Sequence, residues 1–243
     1  MKASDRILVA LDVDDLTAVD SLVGSVSPFV GGFKVGKELM YSVGAPVAVT
    51  YVQQRGGGVF MDGKFHDIPE TVAKTCRAAV RLQPKMFNIH CLGGFEMMQA
   101  ATQAVKDEAA KLGLPVPLLI GVTILTSHDK SSLTELGFDT AIGVSGLVVQ
   151  LAVLAQKAGL DGVVSSPREI EDIRSECGKD FVIVTPGIRA EGSKPDDQKR
   201  KATAREAVSW GATYIVVGRP ITQDPSPVDA AKRIADEVDA VAA

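Results

Sequence analysis

A (β/α)8 barrel, the TIM-barrel class of α/β fold, is what this sequence predicts, and two observations carry the prediction. Eight short apolar runs rich in β-branched residues recur along the 243 residues, with amphipathic stretches of helical length between them. Such alternation implies parallel strands joined by crossover helices, and eight units fill a chain of about 250 residues, the usual size of the closed barrel. The second observation is where the polar residues fall. Asp12, Lys34, Asp62, Lys64, His90, Thr126, Arg189 and Arg219 all stand at or just past the carboxyl end of a run. A barrel gathers those ends at one mouth, where active sites of this architecture lie. The rival is an open doubly wound sheet, but no G-x-G-x-x-G follows the first run. With 46% hydrophobic content the chain has ample material for one core, so a single barrel domain over residues 1–243 is expected.

The first strand is expected at Ile7–Val13, directly after an amino terminus, Met1 to Arg6, that has no apolar signal core. Asp14 and Asp15 then suit the amino terminus of the first helix, where a carboxylate meets the positive end of the helix dipole. Gly32–Gly36 forms the second strand, with Lys34 within it and Lys37 a solvated charge at a helix start. The triplet Gly56, Gly57 and Gly58 has the composition of a phosphate loop, yet it precedes a strand, whereas a phosphate cradle would follow one. It reads as a helix stop and tight turn. The third strand is Val59–Lys64, followed by a helix over Pro69–Arg81. The fourth is Met86–Cys91, with a helix over Phe95–Leu112, and the fifth is Leu118–Leu125. Gly162–Ser165 and a helix over Pro167–Cys177 lead to the seventh strand, Phe181–Thr185. The segment from Thr185 to Gln198 is long and polar, with two glycines and two prolines, and reads as a lid. A helix over Gln198–Trp210, the eighth strand Tyr214–Val217 and a helix over Pro227–Val241 complete the pattern.

The third strand is the most informative. Residues two apart share a face of an extended strand, so Asp62 and Lys64 point the same way, with Phe60 one pair earlier, while Val59, Met61 and Gly63 point the other way. Asp67 lies just beyond, in the loop. Taking such charges out of water costs several kcal/mol per ion unless they are paired, so a strand that aims both inward is better explained by chemistry than by stability. The bland alternative is a surface ion-pair cluster at a strand end.

Composition removes several function classes. The formal net charge of -4 comes with no basic tract, which argues against nucleic-acid binding and for small-molecule partners. No stretch of about 18 unbroken apolar residues occurs, so no membrane span is expected, and a cytoplasmic enzyme fits. Cys76, Cys91 and Cys177 are odd in number and lack metal-ligand spacing. Cys91 reads as a small barrel residue and no nucleophile, having no basic partner beside it. His66, His90 and His128 share no helical spacing that would make a metal site, and read as hydrogen-bonded structural histidines.

Asp62, Lys64 and Asp67 in a D-x-K-x-x-D pattern, the following Ile68 and Pro69, the Pro186-Gly187-Ile188-Arg189 turn and Gly218-Arg219-Pro220 together resemble the orotidine 5'-phosphate decarboxylase family. The likeness extends from Leu11 and Asp12 through Phe33 to Gly36 and Val122 to Ser127, nearly the whole chain. It implies conversion of orotidine monophosphate to uridine monophosphate and carbon dioxide by a homodimer with no metal and no organic cofactor. Carried onto this sequence, it implies that Lys64 donates a proton to C6 of the pyrimidine, with Asp62 beside the departing carboxylate. Lys34 and Asp12 would hold ribose hydroxyls, and Thr126 and Ser127 the pyrimidine edge. Arg219, the Gly218 amide, Arg189 and Gln198 would take the phosphate, with Pro186 in the same loop. Asp67 and Thr71 would cross the dimer interface, giving each mouth an alternating array of Lys34, Asp62, Lys64 and the partner's Asp67.

Two positions depart from the family's usual pattern. Glu70 stands where asparagine commonly follows the Ile-Pro pair, adding negative charge near the implied interface, and Gly63 replaces a frequently larger residue on the outward face. The chemistry suits the residues, because loss of carbon dioxide from C6 leaves a poorly delocalised carbanion and no pyridoxal or thiamine signature is present to serve as an electron sink. A fixed ammonium supplies electrostatic stabilisation and then the proton. A magnesium-dependent sugar-phosphate decarboxylase or hexulose-phosphate synthase on the same barrel is the alternative enzyme, and a noncatalytic phosphate-ligand binder the alternative from another class.

Overall fold

A computed structural model describes residues 1–189 and 202–242. Eight parallel strands, β1 (Ile7–Leu11), β2 (Gly32–Val35), β3 (Val59–Phe65), β4 (Met86–His90), β5 (Leu118–Val122), β6 (Gly162–Val164), β7 (Val182–Thr185) and β8 (Tyr214–Val217), pair in chain order and close, β8 back onto β1. The helices are α1 (Leu16–Val26), α2 (Lys37–Val43), α3 (Ala45–Gln54), α4 (Pro69–Arg81), α5 (Gly94–Leu112), α6 (Lys130–Glu135), α7 (Gly143–Lys157), α8 (Ile170–Cys177), α9 (Ala204–Ser209), α10 (Arg219–Thr222) and α11 (Pro227–Ala242). Among the described residues no helix is long and apolar enough to cross a membrane.

Two cores follow from the period of two. Leu8, Ala10, Phe60, Met86, Ile120, Val184, Tyr214 and Val216 fill the inside of the barrel. Their alternates, among them Val9, Met61, Phe87, Ile183 and Ile215, face the helices and join the larger outer cluster. Both faces of each strand are therefore covered, which is why the runs read as continuously apolar. Stepping two residues beyond the inner layer leads from Ala10 to Asp12, from Phe60 to Asp62, from Met86 to Asn88 and from Val216 to Gly218. The strand period thus sets the polar residues one storey above the apolar plug.

Local signals explain the element ends. Asp15 caps α1 by accepting from the Ala18 N–H at 2.9 Å, whereas the dipole role expected also of Asp14 has no such bond. In α4 the buried positions Val72, Ala73, Cys76, Ala79 and Val80 fall on one stripe, and Pro69 opens the helix. The glycine triplet does stop a helix: α3 ends at Gln54, and Gly56 has φ of 79°. The helix expected over Gln198–Trp210 starts only at Ala204. Thr203 caps it in a reciprocal box with Glu206, while Ala202 is bridged to Ile188 in extended backbone. Several strands also stop short of the apolar runs, β5 at Val122 instead of Leu125 and β1 at Leu11 instead of Val13. Of the residues beyond those ends, Asp12, Ile124 and Leu125 line the mouth.

Candidate active site

The mouth holds a cavity of about 480 Å³. Its polar wall includes Asp12, Lys34, Asp62, Lys64, Thr126, Arg189 and Arg219, together with Thr222 and Gln223; Pro186 and Gly218 also line it, and its apolar wall includes Phe60, Ile124 and Val164. Nine of the residues singled out in the sequence therefore meet in one space.

At its floor the charges alternate. Lys34 Nζ lies 2.8 Å from Asp12 Oδ1 and 3.6 Å from Asp62 Oδ2, and Lys64 Nζ lies 2.6 Å from Asp62 Oδ1. Asp62 is the deepest carboxylate, its side chain 12% exposed, whereas that of Asp12 is 64% exposed. Burying two ammoniums and a carboxylate is tolerable because each has an opposite neighbour at contact distance. Gly36 leaves space for the outer pair, since a Cβ there would stand 3.1 Å from Lys34 Nζ and 3.4 Å from Asp12 Oδ1.

The backbone under Lys64 is irregular. Met61 pairs with Phe87 and Phe65 with Ile89, so residues 62 to 64 of β3 stand opposite the single residue Asn88 of β4. Lys64 takes up the difference with φ of 52°, a left-handed conformation that costs a side-chain-bearing residue about 1–3 kcal/mol. The period of two alone does not foresee this. Gly63 fits the same distortion: a Cβ there would come within 2.4 Å of the Phe65 ring, which leans on Phe87 with ring centroids 6.0 Å apart.

Four of the expected residues lie elsewhere. Asp67 is exposed and accepts from the Ile68 N–H at 2.7 Å. Thr71, on the first turns of α4, and Ser127 are also exposed, and none of the three lines the cavity of its own chain. Gln198 and most of the segment read as a lid lie outside the described residues. The described residues on either side, Arg189 and Ala202, are joined where the Arg189 N–H donates to Ala202 O at 3.0 Å. Glu70 pairs with Lys74 at 3.2 Å on the surface of α4.

His128 meets the structural expectation through a 3.1 Å contact with Ser132 Oγ. His90 does not, for its Nδ1 is buried with no hydrogen-bond partner among the described residues, and its ring centroid lies 5.3 Å from that of His66, the planes tilted by 36°. Burial, helped by His66, Lys64 and Lys37 and opposed by Asp62, pushes the His90 imidazole from the usual 6.5 down to about 4. The unfolded chain therefore takes up this proton between pH 6.5 and 4 while the folded chain does not. Its contribution to stability is complete above 6.5 and shrinks as the pH falls toward 4. In His90→Asn the melting temperature is expected to fall less steeply than in the wild type over that window; parallel curves would count against this origin. Cys91 is fully buried with its thiol pushed up to about 12, as suits a packing residue. Among the described residues no group of three or more His, Cys, Asp or Glu is arranged to hold a metal ion.

Sequence reasoning missed Asn88, which touches both Asp62 and Lys64. A signal existed: it is a polar side chain set between the apolar Phe87 and Ile89 in the β4 run, two residues from Met86 and so on its face.

Residues 5–234 match the model of the "Orotidine 5'-phosphate decarboxylase / HUMPS family". The orotidine 5'-phosphate decarboxylase of Moorella thermoacetica is 53% identical over 242 residues, covering 99% of this chain and 95% of that protein. That of Geotalea uraniireducens is 49% identical over 240 residues, covering 99% and 98%. The crystal structure of orotidine 5'-phosphate decarboxylase from Lactobacillus acidophilus superposes with a TM-score of 0.83 at 34% identity, covering 96% of this chain and 98% of that one.

Proposed function

This chain belongs to the orotidine 5'-phosphate decarboxylase / HUMPS family, and from that premise we propose that it is a decarboxylase acting on orotidine 5'-phosphate in pyrimidine biosynthesis. The observation that carries the mechanism is the buried Asp62 carboxylate held between two ammoniums at the floor of the cavity.

In this reading the pyrimidine lies against Phe60, Ile124 and Val164, with Thr126, and Ser127 beyond it, at its polar edge. Its C6 carboxylate is directed at Asp62. The bond from C6 to the carboxylate breaks, its electron pair stays on C6, and carbon dioxide departs. Lys64 Nζ stabilises the developing charge and then gives C6 a proton, yielding uridine monophosphate, and regains one from water. Lys34 and Asp12, joined at 2.8 Å, meet the ribose hydroxyls. Arg219, following β8, and Arg189, following β7, take the phosphate with the Gly218 N–H and Gln198, the usual phosphate position of this architecture. Binding energy from that unreacting group closes the site over the reacting end.

The working unit in this proposal is a homodimer. Asp67 and Thr71 lie outside their own cavity, and the apolar side chains of Ile68, Leu92 and Phe95, which follow β3 and β4, are exposed. A second copy set on this rim covers them and brings its Asp67 to Lys64.

The magnesium-dependent alternative is not favoured, since eight curated relatives at 44% to 53% identity all carry the decarboxylase name. The test is the ultraviolet absorbance of orotidine monophosphate mixed with purified protein in excess chelator. A steady fall as uridine monophosphate forms is expected. An unchanged trace, with activity toward ketose phosphates once magnesium is restored, would overturn the proposal.

A further inference from the structure

We propose that Asn88 is a positioning residue that sets the Asp62–Lys64 pair for proton transfer, an inference that rests on the reading of Lys64 as the acid. Asn88 is fully buried on the inner face of β4. Its Nδ2 donates to Asp62 Oδ1 at 2.7 Å, and its Oδ1 accepts from the Lys64 N–H at 2.7 Å. A carboxylate can only accept here and a backbone N–H can only donate, so the amide has one orientation that satisfies both.

The two bonds do different things. The first occupies the same oxygen that receives Lys64 Nζ, so the carboxylate is held from the side as well as from the front. The second falls where the β3–β4 ladder shifts register and Lys64 is left-handed. A side-chain oxygen takes the N–H at the one place where three residues face one. Asn88 thereby fixes the backbone from which the Lys64 side chain springs and the carboxylate to which that side chain points. A displacement of about 1 Å at a reacting group can cost about 10²-fold in rate. Few residues could replace it, because leucine fills the volume but offers neither group, and an ionised aspartate offers the acceptor but not the donor.

The experiment uses Asn88→Asp and Asn88→Ala, each compared with the wild type for kcat and KM on orotidine monophosphate across pH, and for hydrogen exchange of the Lys64 amide. Both variants are expected to lose about 10²-fold in kcat, with KM changed less than about threefold because the phosphate contacts are untouched. Asn88→Asp is expected to add an acid-side recovery absent from the wild type. When protonated, the introduced carboxyl donates to Asp62 as the amide does; when ionised, it repels it. The titratable groups around it are Asp62, Lys64, Lys34, His66 and His90, all retained in the wild-type profile that serves as reference. The Lys64 amide is expected to exchange slowly in the wild type and quickly in Asn88→Ala, a readout that does not depend on turnover.

A merely structural asparagine lowers the melting temperature but leaves kcat per folded molecule and the pH profile alone, and that result would overturn the inference. Should Asn88→Asp fail to fold, Asn88→Ala decides alone through its kcat and amide exchange. An inactive wild type overturns the functional reading and the catalytic part of this one together, while an active wild type with an unaffected Asn88→Ala overturns only the role of Asn88.

Discussion

Lys64→Ala is expected to lower turnover of orotidine 5'-phosphate by about 10⁴-fold or more while the barrel stays folded. The size follows from what one side chain is asked to do. A positioned general acid contributes about 10²–10⁴-fold, and a preorganised charge at a developing anion about 10²–10³-fold more. The expectation that the fold survives comes from what remains. Asp62 keeps Asn88 at 2.7 Å and Lys34 at 3.6 Å, so its charge is not abandoned. The N–H at position 64 keeps its bond to Asn88, and alanine bears the same Cβ as lysine, so the left-handed backbone is no more strained than before. Steady-state kinetics beside a thermal melt separate the two expectations. Activity near the wild-type level in the variant would remove Lys64 from the mechanism.

What the sequence made legible was the part governed by short-range period. The inner layer, the outer layer and the ring of charges above them all follow from alternation within each strand, and Asp12, Lys34, Asp62 and Arg219 reach one cavity because a closed barrel converges its strand ends. The misses have physical causes. Apolar character continues past β5 through Ile124 and Leu125, because those residues line the cavity instead of pairing in the ladder, so hydropathy alone set the strand end too late. The helix expected from Gln198 is α9, whose start at Ala204 is set by the Thr203–Glu206 box. The bulge at Lys64 and its dependence on Asn88 are long-range, joining residues 24 apart in the chain. No periodicity within one strand reports a neighbour's side chain. For His90, proximity to His66 is likewise a product of how two strand ends meet.

The same geometry makes the dimer proposal quantitative. Asp67 stands three residues beyond Lys64, yet it is exposed and turned back on the Ile68 N–H, outside the cavity to which Lys64 contributes. If it acts in the partner's site, then Asp67→Ala and Lys64→Ala each inactivate both sites of their own homodimer. Mixing the two variants under conditions that exchange protomers is expected to restore activity. In a mixed dimer one mouth receives Lys64 from one protomer and Asp67 from the other, both native, while the opposite mouth lacks both. Random exchange makes about half of the dimers mixed, each with one working site out of two, so recovery approaches about one quarter of the wild-type specific activity. Sites built within single protomers give no recovery at any mixing ratio, because each protomer then carries its own defect. Recovery that rises with the product of the two variants' fractions and peaks at equal amounts is the signature of a shared site; a flat baseline across the series places Asp67 outside the partner's mouth.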